Sequence, residues 1–147
     1  MIQGVKVIDL KSIPDERGVV RHFVTEDDIG HFGECYITQI YDGIIKGWHG
    51  YKSKVLRYCV PQGMVKLVLW DSRKSSSTYN KVDEFFLGDL NYKSVEIPPG
   101  VFNAFKGIAR PISTIVVIAS EKFSEDRITR LPYDDPQIPY DWGVRYR

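Results

Sequence analysis

Two apolar runs, Val55–Val60 and Met64–Trp70, are joined by nothing more than Pro61-Gln62-Gly63. That turn leaves no room for a crossover, and its proline and glycine accept tight-turn geometry at low cost. A chain that reverses so sharply between β-branched, apolar runs folds as short strands around a small barrel. The same texture continues along the sequence, which predicts strands at Val5–Leu10, Val19–Val24, Tyr36–Tyr41, Glu84–Leu87, Ser94–Ile97, Val101–Phe105 and Ile112–Ala119. Turns fall at Asp15-Glu16-Arg17-Gly18, Asp42-Gly43, Gly88-Asp89-Leu90-Asn91 and Pro98-Pro99-Gly100. Punctuation this regular predicts an all-β jelly-roll barrel. Thr25 to Phe32 reads as one or two helical turns, with Glu26, Asp27 and Asp28 where the helix dipole favours negative charge. Ser72 to Lys81 reads as a mobile polar loop, and the Pro-, Asp-, Arg- and Tyr-rich tail from Ser124 as irregular structure over the barrel or a neighbouring subunit.

The composition narrows the partners. At 147 residues the chain is a single domain, 1–147, with one core. Its 20 basic and 19 acidic side chains are interspersed, for a formal charge of +1, so neither nucleic acid nor an anionic membrane is an expected partner. Cys35 and Cys59 sit in apolar runs outside any metal-ligand spacing, which predicts buried free thiols in a reducing compartment. No signal-peptide order opens the chain, and no apolar stretch approaches the roughly 20 residues that span a bilayer. The expectation is a soluble cytoplasmic protein.

One histidine stands apart: His49, between Gly47-Trp48 and Gly50-Tyr51, at the lip of the apolar runs, is the first candidate for proton chemistry. A satisfied barrel-mouth histidine is the plainer alternative. His22 and His31 have no companion ligands and read as surface or packing residues. Trp48, Trp70 and Trp142 read first as core or interface anchors, although an aromatic at a barrel mouth also stacks a nucleotide base.

Several motifs, in order, resemble those of the dTDP-4-dehydrorhamnose 3,5-epimerases. Asp15-Glu16-Arg17-Gly18 is similar to that family's D-x-R-G turn, Gln39 to the glutamine of its Q-x-N strand, and Lys46-Gly47-Trp48-His49 to its R-G-L-H signature. Leu67 to Arg73 with Ser77-Thr78-Tyr79 resembles V-D-L-R followed by S-P-T. Ile97 to Phe105 resembles I-P-x-G-F-A-H-G-F, and Asp135-Pro136 with Asp141-Trp142 resembles the closing D-P and I-x-W-P elements. The resemblance covers about Asp15 to Trp142 and implies a cupin-type jelly roll, a homodimer, and a nucleotide-linked 4-keto-6-deoxy hexose as substrate, with no cofactor.

The resemblance also implies roles. His49 takes the place of the base that removes a proton beside the ketone, and Lys54 that of the lysine stabilising the enolate. Arg17, Gln39 and Lys46 take the places of phosphate and nucleotide contacts, with Asn103 and Trp142 as further substrate contacts. Four departures stand beside these matches. Tyr41 replaces the asparagine of Q-x-N, Asn103 replaces a histidine, Val117 falls where the family has its acid tyrosine, and the segment carrying the aspartate behind the histidine is missing. Tyr51, Tyr58 or water are the candidates for the acid. Valine at 117 points to action at one carbon only. With only His49 and Asn103 at the two motif positions, the imidazoles that a mononuclear metal needs are lacking, so no metal is expected. A barrel that binds a sugar nucleotide without catalysis is the alternative reading.

Overall fold

A computed structural model describes residues 1–145. Their strands, in chain order, are β1 (Lys6–Asp9), β2 (Ser12–Asp15), β3 (Gly18–Arg21), β4 (Glu34–Tyr41), β5 (Ile45–Tyr51), β6 (Leu56–Gln62), β7 (Met64–Asp71), β8 (Val82–Gly88), β9 (Lys93–Ile97), β10 (Val101–Gly107), β11 (Ile112–Ala119) and β12 (Ile128–Leu131). Two five-stranded antiparallel sheets result, β1-β9-β6-β11-β4 and β12-β5-β10-β7-β8, with β2 and β3 as a separate hairpin. Facing one another, they make the cupin-type jelly roll that the sequence predicts.

The Pro61-Gln62-Gly63 turn is the corner between the sheets, since β6 lies in one and β7 in the other. Gly63 has φ +80°, and a Cβ there would meet Ser113 Oγ at 2.5 Å, so the corner requires glycine on both counts. Its backbone polar groups are satisfied by side chains: Gly63 N–H donates to Asp89 Oδ2 (2.8 Å) and Met64 N–H to Ser113 Oγ (3.1 Å). Leu56, Tyr58 and Val60 of β6 then face Val65, Leu67 and Leu69 of β7 across the principal core, joined by Val95, Ile97, Ile115 and Val117.

The outer face of β7 is apolar too, and the C-terminal segment covers it. Ile138, Tyr140 and Trp142 pack with Trp48, Val68 and Trp70 in a second cluster. Trp48 and Trp142 both donate their indole N–H to one acceptor, the Tyr133 carbonyl, at 3.2 and 3.0 Å. Aromatic side chains of this size bury roughly 200 Å² each, at most about 5 kcal/mol apiece, enough to hold the segment in place.

Several local expectations need correction. Residues 25–32 form turns rather than a helix: Asp28 accepts from both the Thr25 amide and the Thr25 hydroxyl, but the chain closes a single turn and does not continue as a helix. The 72–81 loop, expected to be mobile, is knotted around buried Asp71, whose carboxylate accepts from Arg73, Ser76 and Thr78. Burial opposes ionisation of Asp71, yet these hydrogen bonds outweigh it and hold the carboxyl well below the usual range. The tail is not wholly irregular, because β12 pairs with β5. Cys59 is buried but Cys35 is exposed, pointing outward from β4; both are free thiols.

Candidate active site

β5 builds the site, and its geometry rests on one irregularity. Phe105 of β10 pairs with Lys46, but Asn103, two residues earlier, pairs with His49, three residues later. The extra residue on β5 is a bulge at Gly47-Trp48. Strict alternation would put Lys46 and His49 on opposite faces; the bulge turns both into the barrel and sends Trp48 outward to the tail cluster. A Cβ on Gly47 would lie 3.0 Å from the Leu131 carbonyl oxygen and 3.1 Å from the Tyr133 nitrogen, so glycine lets β12 and its continuation close over the bulge.

The cavity so formed, about 390 Å³, is lined from one sheet by Lys46, His49 and Tyr51 of β5 with Phe105, Ile128 and Arg130, and from the other by Glu34, Tyr36 and Thr38 of β4 with Tyr58. Lys54, from the connection after β5, completes it. Only 4% exposed, it pairs with Glu34 at 3.4 Å and lies 5.0 Å from the centre of the Tyr51 ring. The two residues expected to carry the chemistry, His49 and Lys54, therefore share one cavity.

Electrostatics keeps the imidazole unprotonated. Burial, and then the positive charges of Arg130 and Lys46, hold the His49 pKa below its ordinary value, so the ring is neutral at neutral pH and free to accept a proton. Among the described residues no carboxylate hydrogen-bonds the ring. Asn103 supports the backbone instead: its Nδ2 donates to the His49 carbonyl (3.1 Å) while its Oδ1 accepts from the Tyr58 hydroxyl (2.9 Å). Burial raises the pKa values of Tyr36, Tyr51 and Tyr58, whose hydroxyls interact, so the wall presents neutral phenols. Lys46 donates to Thr38 Oγ1 and to the Gln39 carbonyl, each at 2.8 Å, leaving an ammonium at the cavity edge.

Four expected contacts lie elsewhere. Gln39 points outward, because β4 alternates and it is Glu34, Tyr36 and Thr38 that face in; its side chain donates to Thr114 Oγ1 (3.1 Å) on the outer face of β11. Trp142 belongs to the tail cluster on the far side of β5 and β7, where it covers apolar surface. Arg17 stands at the exposed tip of the β2–β3 hairpin, paired with Asp15. Asn103 lies behind His49 rather than in the wall. Tyr36 is the wall residue that sequence reasoning missed. Its signal was the alternation of β4, which sets Glu34, Tyr36 and Thr38 on one face and Cys35, Ile37 and Gln39 on the other. Among the described residues, no three His, Cys, Asp or Glu side chains are grouped to hold a metal ion.

Comparison with known proteins identifies the family. Spore coat polysaccharide biosynthesis protein SpsL of Bacillus subtilis (strain 168) is 30% identical over 151 residues, covering 100% of both chains. A dTDP sugar isomerase from Desulfovibrio desulfuricans G20 superposes with a TM-score of 0.94 at 28% identity, over 98% of this chain and 94% of that one. The fold is also that of RmlC from Legionella pneumophila Philadelphia 1, solved with dTDP-4-keto-L-rhamnose, at a TM-score of 0.87 and 22% identity over 99% of this chain and 81% of that one. The dTDP-4-dehydrorhamnose 3,5-epimerase profile matches residues 1–147. With likeness running from end to end, the chain belongs to the dTDP-4-dehydrorhamnose 3,5-epimerase family and is a dTDP-sugar epimerase, an isomerase.

Proposed function

We propose that this epimerase acts on a dTDP-linked 4-keto-6-deoxy hexose, inverting one carbon beside the ketone, in polysaccharide biosynthesis. The observation that carries the reading is a neutral imidazole, His49, sharing one cavity with the buried ammonium of Lys54. The C4 carbonyl acidifies the neighbouring C–H bonds. His49 takes the proton, the electron pair moves onto the C4 oxygen, and Lys54 stabilises the enolate that forms. Lys46, at the cavity edge, meets the phosphates as a point charge. Likeness to SpsL, whose name places it in spore coat polysaccharide biosynthesis, supports the pathway class.

Action at a single carbon is the reading we draw from Val117, which stands where the resemblance places an acid tyrosine, so that any acid must stand elsewhere and serve the carbon it reaches. The valine is fully buried in the core and has no proton to give. With dTDP-4-keto-6-deoxyglucose in deuterated water, the label is expected at one of C3 and C5; comparable rates of labelling at both overturn single-site action.

The assembly we propose is a cytoplasmic homodimer. Ile37 and Tyr41, 66% and 69% exposed on the outer face of edge strand β4, and Val20 of the hairpin at 61%, leave apolar side chains in need of cover. Free thiols at Cys35 and Cys59 agree with a reducing compartment. Sedimentation equilibrium is expected to give twice the mass of the 16.9 kDa chain, and a monomer at micromolar concentration contradicts this.

A further inference from the structure

Inversion needs two proton-handling groups, one on each side of the reacting carbon. His49 approaches from the β5 sheet, so the second group must come from the wall opposite. That wall presents Glu34, Tyr36, Thr38 and Tyr58. Glu34 is engaged with Lys54, and Thr38 Oγ1 accepts from Lys46. Tyr58 is enclosed in the core, where its hydroxyl donates to Asn103. Tyr51 projects from the same strand as His49, two residues on, and so stands on the side of the base. One group remains. Moreover, Val117 on β11 pairs directly with Tyr36 on β4, so a phenol one strand over faces the cavity beside the position where valine stands.

We propose that Tyr36 is the acid that delivers the second proton, from the face opposite His49. The proposal rests on the reading of His49 as the base. In the step itself, His49 removes the C–H proton and becomes imidazolium, and the enolate forms on the C4 oxygen. The Tyr36 O–H bond then breaks, its proton bonds to the carbon from the other face, and the enolate electrons return to re-form the C4 ketone. Tyr36 is left as phenolate beside the Tyr58 and Tyr51 hydroxyls, and regains a proton as imidazolium loses one, so the sum is an isomerisation.

The test separates exchange from inversion. Tyr36→Phe enzyme is incubated with dTDP-4-keto-6-deoxyglucose in deuterated water, and both label and configuration are read by NMR. Inversion is expected to fall at least about a hundredfold. Deuterium uptake with retention is expected to persist within about tenfold of wild type, because His49 still removes a proton and returns a deuteron on its own face. Inversion within about threefold of wild type overturns the proposal, as does loss of both inversion and exchange in a variant that still binds dTDP. Should the phenylalanine variant fail to fold, 3,5-difluorotyrosine at position 36 keeps the shape and acidifies the phenol. The basic limb of the inversion rate must then move to lower pH, and an unmoved limb overturns the assignment. The two readings fail separately: exchange that survives His49→Asn removes the base, whereas wild-type inversion in Tyr36→Phe removes only the acid.

Discussion

His49→Asn is expected to lose about three to four orders of magnitude in kcat while dTDP affinity and thermal midpoint stay near those of wild type. Asparagine keeps a polar group of similar reach but cannot accept a proton at neutral pH. Little structural loss accompanies the change, because no hydrogen bond to another described residue is made by the imidazole; the local contacts run through the His49 backbone, whose carbonyl accepts from Asn103. The same residue sets the acid side of the pH profile. Burial first, then Arg130 and Lys46, disfavours imidazolium, so kcat/KM is expected to hold on acidification past the ordinary imidazole value of about 6.5 before it falls. An acid limb at or above that value contradicts the assigned environment.

The second large effect belongs to Lys54. Lys54→Met keeps most of the length of the side chain and removes the charge that stabilises the enolate, so kcat is expected to drop about 10²- to 10³-fold, the usual result of deleting one such donor. Stability is expected to fall as well, by about 1–3 kcal/mol, because Glu34 loses its partner in a half-enclosed site. The double variant Lys54→Met, Glu34→Gln tells these effects apart. It should recover stability, since no carboxylate is left unpaired, and recover none of the activity. If turnover returns together with stability, Lys54 is a structural cation and the enolate is stabilised by something else.

How much of this could be read in the sequence depends on where the information resides. The jelly roll was legible because short apolar runs and Gly- or Pro-bearing turns are local signals, and the Gly63 corner matches them with φ +80°. β5 was hidden as a strand although its motif was not. Two glycines, Lys46 and His49 spoil its alternation, and the bulge at Gly47-Trp48 that unites Lys46 with His49 is defined only by pairing with β10. β12 was missed for a similar reason, since Ile128-Thr129-Arg130-Leu131 is a strand because β5 has a free edge there. Trp142 is the anchor its residue type first suggested, and not the substrate contact that the resemblance implies. The apolar outer face of β7 had first claim on it. Lys54 was legible only through the resemblance, and what fixes its place in the cavity is Glu34, 20 residues away in sequence.

The measurement that bears most directly on the base is the rate at which solvent deuterium enters a dTDP-linked 4-keto hexose, followed by NMR with wild-type and His49→Asn enzyme at equal concentration. Wild type should label the carbon beside the ketone during turnover, and the variant should not exceed the rate without enzyme. Labelling by the variant at the wild-type rate would show that another group takes the proton.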